Sequence, residues 1–210
     1  MKKALITFAK APIPGTVKTR LQADIGPKRA VKIYRSFVTG VLTECSRLKG
    51  IDRFLGCTPT QEDGYLSDLA AEYKLRTFDQ EGKTLGRRIY NAFKHCSEMG
   101  YSDIVLIGSD SPSIPADFIK TAFNELKKND FVIGPCFDNG LYLIGAKSTR
   151  VDEIFRTIKI DTGKDVNGIL KKIEKTKIKL SMLPFWYDID DIEDLEFLKA
   201  HLKYLKKDLL

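Results

Sequence analysis

The chain has few of the residues that build covalent or metal-held scaffolds. Its 210 residues include four cysteines, two histidines and one tryptophan. Cys45, Cys57, Cys96 and Cys136 lie far apart and form no Cys-x-x-Cys pair. Only His95 and His201 could join them, which excludes the usual structural zinc sets. Scattered thiols of this kind read as buried apolar side chains in a reducing compartment. The chain also lacks any run of about 18 apolar residues, so no membrane span is expected. The opening Met1–Phe8 has the outline of a signal peptide, but its apolar run is short and Lys10 interrupts it. It reads as a buried first strand, and the chain as cytoplasmic. A Walker A loop is missing: Lys18-Thr19 would need glycine at 17 and at 12, where Val17 and Pro12 stand. A Gly-x-Ser-x-Gly nucleophile turn is missing too, which disfavours a serine hydrolase.

The composition itself is that of an ordinary globular protein, 43% hydrophobic and 30% charged. The length suits one domain over 1–210 with a sizeable core. The net charge of +7 admits nucleic acid as a partner. However, the lysines are spread along the chain, with local excesses at 171–179 and 199–207, and no aromatics interleave with them as a base-stacking platform requires. Solvated helix faces account for most of this charge, so neither a nucleic-acid nor a membrane partner is expected.

Apolar runs rich in Val, Ile and Leu alternate with longer amphipathic stretches. Strands are expected at 4–8, 54–57, 75–78, 104–107, 131–134, 141–145 and 178–183. Helices are expected at 28–48, 67–73, 85–98, 116–127, 166–174 and 192–205. Continuous apolar strands imply burial on both faces, and their alternation with helices implies a largely parallel sheet. The runs 131–134 and 141–145 are too close for a crossover helix, so the sheet should be mixed. Thr84 reads as the N-cap of one helix. Asp191 precedes another, with acids in its first turn.

Ligands of such sheets bind at the carboxyl ends of the strands. After the first strand comes Lys10-Ala11-Pro12-Ile13-Pro14-Gly15-Thr16-Val17-Lys18-Thr19-Arg20. Two prolines stiffen the loop, Gly15 allows close backbone approach, and Lys10, Lys18 and Arg20 supply cations. It is either a phosphate cradle or a solvated basic loop. After the fourth strand comes Gly108-Ser109-Asp110-Ser111-Pro112. There Asp110 is either a ligand for a divalent cation or a turn residue. Asp138-Asn139-Gly140 has hairpin chemistry and also offers groups to a substrate hydroxyl. Asp188, Asp190 and Asp191 crowd three carboxylates into four residues, which calls for a cation or a helix terminus. Asp191 can cap; Asp188 and Asp190 are candidates for a second metal ligand. Of Arg87 and Arg88, one can reach a pocket while the other is solvated.

These segments follow one another in an order that resembles a family. Lys10 to Leu21, Gln80-x-Gly82-x-x-Leu85-Gly86-x-Arg88, Gly108-Ser109-Asp110-Ser111-Pro112, Gly134-Pro135-x-x-Asp138-x-Gly140-x-Tyr142 and Asp188-x-Asp190 look like the glycosyltransferase-like family of the nucleotide-diphospho-sugar transferase superfamily. Some of its members are described as arsenosugar biosynthesis glycosyltransferases. The run Lys18-Thr19-Arg20-Leu21 is also similar to the phosphate loop of 2-phospholactate guanylyltransferase. The resemblance implies a three-layer α/β/α sandwich of GT-A type, with a mostly parallel mixed sheet. It implies Asp110 and Asp190 as ligands of Mg2+ or Mn2+, with Lys10, Lys18 and Arg20 on the phosphates. Pro14, Gly15, Thr19, Arg88 and Ser109 complete the candidate nucleotide site, and Asp110 and Asp138 are the candidate catalytic residues. The partners would be a nucleoside triphosphate or nucleotide sugar and a small-molecule acceptor. Three features depart from the family: Asn139 where glycine is common, Arg87 where an acid is common, and no tryptophan near 160–162. Glycosyl transfer and nucleotidyl transfer share this machinery. A non-catalytic nucleotide sensor is the alternative from another class.

Overall fold

The structure, a computed structural model, describes residues 1–160, 165–205 and 209. Strand β1 (Lys3–Lys10) explains its own apolar run. Ala4, Ile6 and Phe8 enter one core, while Leu5 and Ala9 enter the cores on the opposite face. Strand β4 (Asp103–Ile107) alternates in the same way, with Ile104 and Leu106 on one side and Val105 and Ile107 on the other. Burial on both faces removes any need for alternating polar residues.

Helices α4 (Leu85–Glu98), α6 (Val151–Thr157) and α7 (Val166–Ile173) cover the first face through Ile89, Phe93, Ile154 and Ile169. Helices α2 (Pro27–Ser46), α3 (Gly64–Tyr73) and α5 (Ala116–Glu125) cover the second through Val38, Val41, Leu66 and Phe123. Phe93 and Phe123 are essentially inaccessible, and each such side chain contributes roughly 1.5–3 kcal/mol by leaving water. Two more helices, α1 (Thr19–Ile25) and α8 (Ile192–Leu205), pack with α2 in a separate cluster around Leu21, Phe37, Leu195 and Leu198. The three-layer α/β/α arrangement is therefore as the resemblance implies.

The remaining strands are β2 (Asp52–Thr58), β3 (Arg76–Asp79), β5 (Phe131–Pro135), β6 (Leu141–Lys147) and β7 (Leu180–Met182). One seven-stranded sheet runs in the order β3-β2-β1-β4-β6-β5-β7. Strand β6 pairs antiparallel with both β4 and β5, and the other pairs are parallel. The chain between β5 and β6 is too short for a crossover, so the two can only fold back on each other. A side chain at Gly134 would collide with the Tyr142 ring across that pair. The chain leaves β1 towards β2, and β4 returns on the other side of β1. This reversal opens a crevice at the carboxyl ends of β1 and β4. Because β6 runs the opposite way, its start at Leu141 lies at that same edge.

Two helices had no reading in the sequence. Residues 19–25, of which the first three close the basic Lys10-to-Leu21 loop of the sequence reading, form α1, and 151–157 form α6. The capping readings hold: Thr84 accepts from the Arg87 N–H at 3.3 Å, and Asp191 accepts from the N–H groups of Glu193 and Asp194 at 3.1 Å. All four cysteines are buried and free. No described helix is long and apolar enough to cross a membrane.

Candidate functional site

A cleft of about 660 Å³ opens over the carboxyl ends of β1 and β4. Lys10, Lys18, Thr19, Arg20, Arg88, Ser109, Asp110, Asp138 and Asp190 all line it. Pro14 and Gly15 do not; they are exposed in the turn before α1, where Gly15 has φ of +87°. A side chain added at Gly15 would meet only open space. The positive φ there is one that glycine adopts at no steric cost.

The centre of the cleft floor is an ion cluster. The Lys18 ammonium contacts Asp110 Oδ1, donates to the Ile189 carbonyl at 2.7 Å and lies 3.6 Å from Asp190 Oδ1. Arg20 reaches the other Asp190 oxygen at 3.5 Å. Lys18 itself is a non-glycine residue with φ of 49°, at the N-cap of α1. Its side chain is 5% exposed, against 49% for Asp110 and 45% for Asp190. The two carboxylates come from loops 80 residues apart in sequence, and a backbone hydrogen bond from Ile189 N–H to the Asp110 carbonyl, 2.9 Å, ties those loops together.

The three crowded carboxylates of the last loop take three different partners. Asp190 faces Lys18 and Arg20. Asp191 caps α8, supported by Asp194, which accepts from the Asp190 and Asp191 N–H groups at 2.8 and 3.2 Å. Asp188 turns inward and accepts from the Ser111 hydroxyl. Burial first, then the nearby Asp110 charge, raises the Asp188 carboxyl to about 6, against the lowering effects of Ser111, Lys18 and the Cys136 thiol. Burial likewise pushes the Cys136 thiol up, helped by Asp188.

Below Lys10 the sequence marked nothing, yet Tyr34 of α2 is central there. Its hydroxyl accepts from the Lys10 N–H at 2.9 Å and hydrogen-bonds Ser109 at 3.1 Å, joining the ends of β1 and β4. Burial raises the phenol to about 12, so it stays protonated. Gln80 plays a similar part at the other end: its amide nitrogen donates to the carbonyls of Ala9, 3.2 Å, and Gly56, 2.7 Å. Within an amphipathic helix, Tyr34 looks like any core aromatic, and no local signal distinguishes it. Lys83 and Asp165 also line the cleft.

Of the paired arginines, Arg88 lines the cleft and donates to the Gly82 carbonyl at 3.0 Å. Arg87 instead lies over the Tyr90 ring, 4.8 Å from its centroid. Asp138 is exposed and accepts from the Gly140 N–H at 2.9 Å, closing the β5–β6 turn. Asn139 has φ of 72°, a conformation that glycine and asparagine adopt most readily. Its carbonyl and side-chain oxygens accept from the Val166 and Asn167 N–H groups at the start of α7, at 3.2 and 3.1 Å. The asparagine thus does what a glycine would at that turn and adds a tie to α7. Of the last departure, Asp161 and Thr162 lie outside the described residues.

Asp110 and Asp190 converge on one point, since a single ammonium meets both. Hard oxygen donors there suit magnesium or manganese. No group of three or more His, Cys, Asp or Glu side chains gathers as a metal set among the described residues. A divalent ion would therefore draw two ligands from the protein and the rest from water and phosphate, as magnesium commonly does.

Comparison with known proteins places the chain. A candidate nucleotide-diphospho-sugar transferase from Desulfovibrio desulfuricans G20 is 32% identical, with a TM-score of 0.86 over 97% of this chain and 89% of that one. The 4-diphosphocytidyl-2C-methyl-D-erythritol synthase of Anaerococcus prevotii DSM 20548 is 15% identical, with a TM-score of 0.66 over 96% of each chain. A cytidylyltransferase from Leptospira borgpetersenii serovar Hardjo-bovis (strain JB197) is 16% identical, with a TM-score of 0.64 over 97% of this chain and 88% of that one. The last two likenesses concern the fold alone. No curated protein sequence matches. The model of the family described as "Uncharacterized protein conserved in bacteria (DUF2064)" matches residues 41–162. That match spans more than half of the sequence, and the chain belongs to this family, within the nucleotide-diphospho-sugar transferase fold.

Proposed function

We propose that the protein is a metal-dependent transferase that takes a nucleotide-activated donor, with a nucleotide sugar as the first candidate. The observation that carries this reading is the convergence of Asp110 and Asp190 on one cation position, at the strand reversal, beside Lys10, Arg20 and Arg88. Carboxylates and cations interleaved in one cleft suit a pyrophosphate group bridged to a metal. Neither group alone would.

Asp110 and Asp190 would hold Mg2+ or Mn2+. Bound there, such an ion would neutralise charge on the donor pyrophosphate and on the leaving group. Lys10, Lys18 and Arg20 bind the remaining phosphate oxygens, with Arg88 reaching in from α4. Tyr34 and Gln80 hold the strand ends that carry these groups. Asp138, on the β5–β6 turn that lines the cleft, orients the acceptor hydroxyl. Catalysis by this chain would then be mostly positioning and charge stabilisation.

Nucleotidyl transfer is the second reading. It is favoured by the number of cations along the cleft, where Lys83 joins the four already named. That much positive charge suits a triphosphate. The structural likeness to cytidylyltransferases agrees with it, although fold does not determine chemistry.

The test is a thermal-shift screen of nucleoside triphosphates and nucleotide sugars, with and without magnesium or manganese. A ligand at 100 times its dissociation constant adds about 2.7 kcal/mol of stability, which is readily seen. A metal-dependent shift, lost in Asp110→Ala, supports the reading, and the preferred ligand chooses between the two reactions. No shift with any donor would sink both and leave a role without turnover, such as a sensor of another metabolite.

A further inference from the structure

We infer that Lys18 is a tethered cation that occupies the Asp110–Asp190 position itself, so that a divalent ion enters only together with the nucleotide. The inference rests on the transferase reading and concerns the order in which that site fills.

Lys18 differs from the other cations of the cleft. Lys10 and Arg20 are exposed, as a group waiting for phosphate should be. The Lys18 side chain is only 5% exposed. Its ammonium has three protons, and three oxygens surround it: Asp110 Oδ1, the Ile189 carbonyl at 2.7 Å and Asp190 Oδ1 at 3.6 Å. That is an oxygen cage built from the same two carboxylates a metal would use. The ammonium also lies over the Phe37 ring, 5.8 Å from its centroid. The backbone sets this aim. Lys18 adopts φ of 49°, an uncommon conformation for lysine, just after Val17, whose carbonyl accepts from the Gln22 side chain at 2.7 Å.

Electrostatics then dictates the order. Two carboxylates and one ammonium carry a net charge of −1. A divalent ion entering this cage would sit against the ammonium in a partly desolvated place, where like charges repel strongly. An incoming nucleotide changes that balance, because its phosphates offer Lys18 alternative oxygens in the same cleft. The lysine stem is flexible and its ammonium is a point charge, so it can change partners without a fixed geometry. Lys18 thereby keeps the two carboxylates together and neutralised in the empty enzyme, and hands them over when donor and metal arrive.

The test is Mn2+ binding to the full chain, followed by electron paramagnetic resonance of the free ion and by calorimetry. Wild type is compared with Lys18→Met, which keeps the stem and removes the charge. Lys18→Gln, which retains a donor for the Ile189 carbonyl, serves if the methionine variant does not fold. Each is measured alone and with ATP, CTP, GTP, UTP or the matching nucleoside-diphosphate sugars, against protein-free controls that subtract the Mn2+ held by the nucleotide itself. With Mn2+ alone, the uncharged variant should bind at least about tenfold more tightly than wild type, since a competing cation is gone. Adding Asp110→Asn should abolish that gain, which locates it. Wild type should gain Mn2+ affinity only when a nucleotide is present. Equal Mn2+ affinity in wild type and the Lys18 variants overturns the inference and leaves the transferase reading intact. A gain in the variants, with no nucleotide effect in any protein, keeps Lys18 as a competitor but sinks the transferase reading and the order of filling with it.

Discussion

The cleft floor has two layers that differ in what they ask of their residues. The upper layer is charged and half-exposed: Asp110, Asp190 and Arg20, with Lys18 tucked among them. The layer beneath is mostly uncharged hydroxyls held close: Ser111 on Asp188, and Tyr34 on Ser109 and Lys10. An exposed ion pair such as Arg20–Asp190 contributes little to stability, typically about 0–1 kcal/mol. Buried hydrogen bonds are costly to leave unmade, at about 1–3 kcal/mol each. The upper layer is thus free to exchange partners with a ligand, while the lower one fixes the loops that present it. Function and stability should separate between them.

The sharpest break of that comparison comes from Asp110→Ala. It should lower turnover by about 100-fold or more, a magnitude usual for loss of a group that stabilises developing charge. Because the buried Lys18 ammonium keeps Asp190 and the Ile189 carbonyl as partners, the loss of melting temperature in the absence of ligand should stay below that of a broken lower-layer hydrogen bond. A large loss of stability in that variant would erase the distinction between layers.

Asp188 gives the next effect, through pH. Its carboxyl is raised from the usual 3.8 to about 6, so the folded state holds a proton more tightly than the unfolded one. The associated stability is present below about pH 4 and is lost as the pH rises through about 6. The full shift corresponds to about 3 kcal/mol, and partial exposure reduces this to about 1–2. Asp188→Asn, which still accepts from Ser111, should remove this dependence. In melting curves from pH 4 to 7, wild type should lose ground to the variant as the pH rises. A constant difference between the two proteins would contradict the buried placement.

Tyr34→Phe tests the lower layer more mildly. It removes the acceptor for the Lys10 N–H and the partner of Ser109, and should cost about 1–3 kcal/mol in denaturant unfolding. Donor affinity should fall as well, because the ends of β1 and β4 are no longer joined. If affinity falls with no loss of stability, Tyr34 touches the ligand rather than the scaffold. The smallest effect belongs outside both layers. Asp191→Ala removes the α8 cap, should cost about 1 kcal/mol in melting experiments, and should leave metal and nucleotide binding nearly unchanged.

Much of the frame was legible because each signal is local. Seven apolar runs became seven strands, since burial on both faces leaves a continuous pattern. The helix 85–98 was bounded by its Thr84 cap, and the short link between β5 and β6 dictated an antiparallel pair. Helix α1 was not legible, because it has a single buried residue, Leu21, which cannot form a periodic stripe within seven residues. Helix α6 escaped for the same reason of length. At the site, the segments that follow the strands are the loops that line the cleft. Arg87 and Arg88 are alike in sequence, both polar residues at a helix start, and only packing of Arg87 on Tyr90 separates them.

The sequence by itself therefore determined the alternation of strands and helices, the mixed sheet and the loops that carry chemistry. These follow from periodicity, turn chemistry and chain length, all readable within a short window. The tertiary structure alone decided which charges meet. Lys18 and Asp190 come from opposite ends of the chain, Asp110 from its middle and Tyr34 from a helix between, and no local pattern records a contact across 92 or 170 residues. They meet because the strand order places β4 beside β1 and the last loop hydrogen-bonds to Asp110. Charge pairing depends on distance in space, and only the assembled sheet sets that distance.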